Sequence, residues 1–182
     1  MRCVIVVLLV TLLAKPANSK ARDGDFVLLI RGQSKPAEQL QCNKDWYEKI
    51  VPPQLFWKNE PAKTQSFALT VYDADAPAAR GKNHWTVFNV SANTHSLPRF
   101  AGNQTKTLVP AGTLQSRNDF GIRSYSVICQ PTDGHEHHYV FTLWALDTQV
   151  LILDQNVSPA ISRLFIRQHQ IGRARFIVTG KN

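Results

Sequence analysis

The segment His138–Leu146, His-Tyr-Val-Phe-Thr-Leu-Trp-Ala-Leu, most constrains what this chain can fold into. Side chains alternate across a strand, and this run is apolar at both parities, so neither of its faces suits water. It reads as an interior strand of a sheet covered on both sides. Ser66–Asp73 and His84–Val90 are two further clear strand patterns, with the loop 74–83 between them. Phe26–Ile30 and Leu55–Trp57 are shorter apolar runs of the same kind, and Ile171–Val178 reads as a last strand. Residues 31–53, with Pro36, Pro52 and Pro53, read as loops around Cys42. Ser158-Pro159 is a helix start, an N-cap followed by Pro in the first turn. A helix from there to about Gln168 would place Ile161, Leu164 and Phe165 on one face. The expected fold is mainly β, antiparallel sheets in a sandwich-like arrangement with one or two peripheral helices.

The long stretch 91–124 is rich in Asn, Gly, Pro and Ser, with only short apolar pieces. Excursions of that length in a compact domain are usually functional or tied down by side-chain contacts. With 182 residues, 43% of them hydrophobic and 19% charged, the chain suits one domain with one core. It carries no internal repeat.

The N-terminus begins Met1-Arg2, continues as an apolar run Val4–Leu13, and reaches Ala17-Asn18-Ser19. A basic start, a short apolar stretch and small residues at the −3 and −1 positions describe a secretory signal peptide over residues 1–19. The run is too short for a bilayer, which takes about 20 apolar residues. An uncleaved N-terminal anchor is the competing reading. Export to a periplasmic or extracellular space is expected, with residues 20–182 as the folded domain.

Such a compartment would let Cys42 and Cys129 pair, Cys3 lying inside the signal. The bridge would close a loop of about 90 residues, worth about 4 kcal/mol in the chain-entropy model. Two unpaired buried thiols are the alternative. The net charge is +8, and it falls to +6 without Arg2 and Lys15. That balance favours anionic partners. The charges are scattered singly and no nucleic-acid motif accompanies them, so no nucleic acid is expected as partner.

The chemistry-bearing residues gather at strand ends. Phe67, Leu69, Val71, Asp73 and Asp75 share one face if their strand runs to residue 75. His84 opens the next strong strand, and His137 and Tyr139 share a face of the interior one. Two His, two Asp and a Tyr could thus converge at one end of a sheet. Adjacent carboxylates repel, so at least one needs a cationic or hydrogen-bonding partner. His135-Glu136-His137-His138 has the composition of a metal cluster, but successive strand residues point to opposite faces and cannot all reach one ion. No metal or other cofactor is expected.

Asp73-Ala74-Asp75-Ala76-Pro77 resembles the D-P-D-A-P motif of phosphatidylethanolamine-binding proteins, and His84-Trp85 with Val87-Phe88-Asn89 resembles the motif on that family's next strand. Asn118-Asp119-Phe120-Gly121, Tyr125, Cys129, Pro131, Gly134 and His137-His138-Tyr139 are similar to the bacterial Raf-kinase-inhibitor-like branch. The resemblance runs from about residue 54 to the C-terminus, and more weakly back to Cys42. It implies a mainly antiparallel β-fold with a small anion pocket for phosphate, a carboxylate or a phospholipid headgroup. Carried over position by position, the pocket is Asp73, Asp75, Pro77, His84, His137 and Tyr139. The sequence departs from the family at Ala74, at Lys82 where an aromatic is usual, at Ser124, and at Val127-Ile128 and Gln130. Lys82 stands at the rim and would add a positive charge. A protein-binding modulator, such as a protease or kinase inhibitor, is the alternative implied by relatives. A His/Asp hydrolase is a third reading, disfavoured because no G-x-S-x-G elbow or catalytic-looking Cys is present.

Overall fold

The structure is a computed structural model and describes residues 24–31, 39–41, 52–77, 81–103, 108–126, 128 and 133–180. The signal-like segment 1–19 and the pair Cys42 and Cys129 lie outside the described residues. Nine strands form two sheets among those described: β1 (Val27–Ile30), β2 (Gln39–Gln41), β3 (Leu55–Lys58), β4 (Ser66–Asp73), β5 (Lys82–Ser91), β6 (Ser96–Leu97), β7 (Leu114–Gln115), β8 (His137–Leu146) and β9 (Gln170–Gly180). The small sheet has the order β1-β3-β6 and the large one β2-β9-β8-β4-β5-β7. All pairings are antiparallel except that of β2 with β9.

The strand that the sequence marks as interior is β8, which lies between β4 and β9. Its two parities feed two cores. Phe141, Leu143 and Ala145 join Phe67, Leu69, Val71, Trp85, Val87 and Phe176 against Leu28, Leu55 and Trp57 of the small sheet. Fully burying each of those Phe side chains contributes about 2–3 kcal/mol before entropy is counted. On the opposite face Trp144 and Leu146 pack with Ala68, Phe88, Leu151 and Ile166. Ile166 comes from α1 (Pro159–Gln168), the one helix among the described residues. Its N-terminus is capped as the Ser-Pro pair predicts, with Ser158 Oγ accepting from the N–H of Ile161.

Two expectations are corrected here. The buried stripe of α1 is Ser162 and Ile166, with Phe165 half-buried, whereas Ile161 and Leu164 are exposed. Hydrophobicity selected the larger residues, but the small Ser162 is what sits fully buried, its hydroxyl donating to Pro159 O. Residues 39–41, read as loop, form β2 beside Ile177–Thr179 of β9. Three residues are too few for a periodic signal, and the pairing is decided by the open edge of β9.

Two register shifts separate β4 from β5. Phe67 faces Val90 while Leu69 faces Val87, so Phe88 and Asn89 together oppose Ala68. Asn89 has φ 59°, and its amide clamps Leu151 by accepting from its N–H (2.8 Å) and donating to its carbonyl (3.3 Å). In the second shift Val71 faces Trp85 while Tyr72 faces Asn83, leaving His84 as the extra residue. An inserted residue breaks the alternation of the strand. His84 and Trp85 can therefore turn to the same face, the one that carries Val71 and Asp73.

The outer edge of β5 meets β7 only at Val87 and Phe88. Toward its N-terminal end the loop 116–126 takes over: Ser116, Asp119 and Ser126 donate their N–H groups to the carbonyls of Thr86, Asn83 and His84 respectively. Asp119 Oδ2 also accepts from the N–H of Asn83 at 2.7 Å. Asn118 organises this loop. Its buried amide donates to His84 O and Ser124 O, both at 3.1 Å, and accepts from the N–H groups of Phe120 and Ile122. The last part of the long stretch, from residue 116, is thus tied down by side-chain contacts.

Candidate functional site

β4 ends at Asp73, whose cross-strand partner on β8 is Tyr139. His137 lies two residues before Tyr139 on the same face, at the diagonal position where side chains still touch. The Asp73 carboxylate is buried and fully engaged. Its Oδ1 accepts the N–H groups of Asp75 (3.0 Å) and Ala76 (3.1 Å), and its Oδ2 accepts from His137 Nδ1 at 2.8 Å. That bond fixes a proton on Nδ1 of His137.

The other nitrogen of His137 is also occupied. Its Nε2 lies 3.0 Å and 3.2 Å from the two carboxylate oxygens of Asp133. Donating to carboxylates from both nitrogens requires the doubly protonated, cationic ring. The electrostatic surroundings agree. Burial alone would lower the pKa of His137, but the hydrogen bonds to Asp73 and Asp133 outweigh it and raise it above the ordinary value. Asp133 is correspondingly held below the usual carboxylate range, first by the N–H of His135 and then by His137.

His84, placed by the β5 bulge, brings Nε2 to 3.9 Å from Asp73 Oδ2. Its Nδ1 is 3.0 Å from Ser126 Oγ, and the same hydroxyl lies 3.1 Å from the His84 carbonyl. When Ser126 donates to Nδ1, the neutral ring keeps its proton on Nε2, the nitrogen facing Asp73. Tyr139 is buried edge-on to His84 with centroids 5.5 Å apart, and 6.2 Å from the His137 ring. On the outer side Phe120 sets its ring 5.0 Å from His84, and Lys82 Nζ lies 5.3 Å from the Phe120 centroid.

The structure therefore gathers Asp73, His84, His137 and Tyr139, with Lys82 one ring away. Asp75 and Pro77 stand apart. The chain turns after Asp73, and Asp75 is exposed, with Oδ2 accepting from the N–H and Nδ1 of His138, both at 2.8 Å. Desolvation raises the Asp75 pKa, but the two His138 hydrogen bonds together outweigh it and lower it. Pro77 is exposed at the end of this turn. Strand alternation predicted Asp73 and Asp75 on one face, but the hydrogen bonds to Asp73 Oδ1 end the strand between them. His138 is half-exposed on the opposite parity of β8 from His137, and His135 is exposed.

Sequence reading missed Asp133, Ser126 and Phe120. Asp133 was findable, since it lies four residues before His137 with the turn glycine Gly134 (φ 75°) between them. Nothing local marks Ser126 or Phe120 as neighbours of His84. A separate cavity of about 260 Å³ lies among Asn103, Val109, Thr113, Leu114, Gln115, Arg123 and Gln155. It shares no residue with the His/Asp cluster, and its Gln115 Oε1 already accepts from Trp85 Nε1. Among the described residues no group of three or more His, Cys, Asp or Glu is arranged to hold a metal ion.

Residues 32–181 match the family model described as phosphatidylethanolamine-binding protein. The UPF0098 protein YbcL of Escherichia coli (strain K12) is 42% identical over 122 residues, 67% of each chain. A crystal structure of E. coli YbcL, described as a new member of the mammalian PEBP family, superposes with a TM-score of 0.75, covering 86% of this chain and 98% of that one. The candidate PEBP homologue CT736 of Chlamydia trachomatis shares the fold, with a TM-score of 0.71 at 23% identity, covering 87% of this chain and 99% of its own. The candidate lipoprotein LppC of Mycobacterium tuberculosis (strain H37Rv) is 33% identical over 129 residues, 71% of this chain and 59% of its own.

Proposed function

The chain belongs to the phosphatidylethanolamine-binding protein family, and we propose that it works as an exported binding protein for a small anionic group: a phosphate, a phosphorylated headgroup or a carboxylate. The observation that carries this reading is the pair of buried imidazoles, His84 and His137, oriented by one buried carboxylate at the end of β4. Asp73 holds His137 through Nδ1, which leaves Nε2, paired with the partly exposed Asp133, as the nitrogen on the solvent side. His84 Nε2 stands on the same carboxylate, and Lys82 adds a cation at the rim. A cationic imidazole in a partly desolvated site donates stronger, shorter hydrogen bonds to anion oxygens than a neutral one.

Binding without turnover fits the same geometry. Ser126 is the hydroxyl beside His84, but it also reaches the His84 carbonyl, which ties it to a positioning role. The short bond of Asp73 goes to His137, and His84 Nε2 stands 3.9 Å from that carboxylate, longer than the hydrogen bond a Ser-His-Asp relay uses. Export is supported by the signal-like N-terminus and by the likeness to LppC, which is named for a lipoprotein. No described helix is long and apolar enough to cross a membrane.

Calorimetric titration of the protein with inorganic phosphate and with O-phosphoethanolamine tests the reading, beside His84→Ala and an Asp73→Ala, His84→Ala double variant of checked circular dichroism. Saturable binding that is lost in the variants is expected. Absence of binding in the unaltered protein, or equal binding by the variants, rejects it.

A further inference from the structure

We propose that Asp133 is a built-in competitor for the anion seat: its carboxylate occupies His137 Nε2, and an incoming anion has to displace it. This rests on the reading of His137 as an anion donor and adds what controls that donor.

Three observations carry it. Both Asp133 oxygens lie within 3.2 Å of Nε2, while Asp73 holds the opposite nitrogen, so the imidazole has no donor left over. The His137 side chain is 4% exposed and that of Asp133 26%, so the carboxylate sits on the solvent side of the ring. Finally, Asp133 belongs to a short turn. Its Oδ1 accepts from the N–H of His135, Gly134 has φ 75°, and no strand holds it. A group attached by such a turn can swing aside at little cost, whereas Asp73 cannot.

The charges point the same way. Asp73 and Asp133 against one imidazolium leave the cluster with a net negative charge, which repels a second anion. The groups facing the ring are Asp73 from β4 and Asp133 from the turn, with His84 and Tyr139 beside them; Asp75 acts on it through space. Ligand exchange is then a swap of one carboxylate for one anion oxygen. The competition lowers the apparent affinity of every anion by the same factor, since each has to displace the same carboxylate. Removing the Asp133 charge at contact distance should tighten anion binding by about tenfold or more at low salt.

The test compares the unaltered protein with Asp133→Asn and Asp133→Ala in two measurements. Calorimetry with inorganic phosphate and with acetate should give about tenfold tighter binding in both variants, with a gain for phosphate at least as large as that for acetate. Without ligand, the His137 imidazole resonances should titrate at lower pH in the variants, because one of its two carboxylate partners is gone. An unshifted His137 titration overturns the inference whatever the ligand data show. A shifted titration with unchanged affinity also overturns it, while the anion site itself stands. If no form binds phosphate or acetate, the anion reading fails, and the competitor role fails with it.

Discussion

Asn118→Ala removes four hydrogen bonds with one substitution. The side-chain amide has two donors and two acceptor lone pairs, and all four are used at 3.0–3.2 Å: His84 O, Ser124 O, and the N–H groups of Phe120 and Ile122. At about 1 kcal/mol net per bond the gross loss is about 4 kcal/mol. Phe120 and Ile122 lie in a loop that water can reach, so their share is partly recovered, and about 3 kcal/mol is the working figure. For a domain of this size that lowers Tm by roughly 6–12 °C. Guanidinium unfolding, with the midpoint falling and the slope unchanged, measures it. Asn118→Asp keeps the acceptors but turns a charge against two carbonyls, and should lose at least as much. The same variants should weaken phosphate binding, since the loop carries Ser126 and Phe120 onto His84. An Asn118→Ala loss below about 1 kcal/mol would refute the reasoning, because the loop would then hold itself in place.

Stability should peak between about pH 4 and 6.5. His137 has a raised pKa, so its contribution is full below about 6.5 and is lost as pH rises through the raised value; Asp75 and Asp133 have lowered values, so theirs is lost as pH falls below about 4. Denaturant midpoints from pH 3 to 9 check this, and a midpoint that climbs steadily above pH 6.5 contradicts it. Gly81→Ala should cost about 2 kcal/mol or more, because φ is +66° and a Cβ would press on Asp73 O and the Tyr72 hydroxyl, whereas Gly121→Ala, at φ +78° in open space, should cost about 1 kcal/mol. Equal losses in thermal melts would remove the close-approach argument.

Most of the large sheet was legible because its strands are long and two-sided in their apolar pattern. β4, β5, β8 and β9 come within two residues of the runs read from the sequence. β2 was not, since three residues carry no period and depend on a distant partner. Within the site, Asp73, His137 and Tyr139 follow from alternation along two strands. His84 does not, because only the bulge in the β4–β5 register turns it to that face, and a bulge is a property of the pair of strands. Asp75 was misplaced for the related reason that the strand ended two residues earlier than its pattern allowed. The partners contributed by the long loop have no periodic signal at all. What marks them is the saturated amide of Asn118, and its bonds become visible only once the loop is folded back on β5.

That folded-back loop has a consequence for the behaviour of the protein in a crowd of its own copies. β5 is ten residues long, carries Trp85, Thr86, Val87, Phe88 and Val90, and lies one place from the rim of the large sheet. The two residues of β7 cover only a fraction of it; the 116–126 loop covers the N-terminal end by meeting the carbonyls of Asn83, His84 and Thr86 one at a time without offering a strand edge of its own. An irregular chain cannot template another β-strand, so the segment that shapes the site also caps a surface that would otherwise invite intermolecular strand addition. Loosening the loop would then lower solubility as well as affinity.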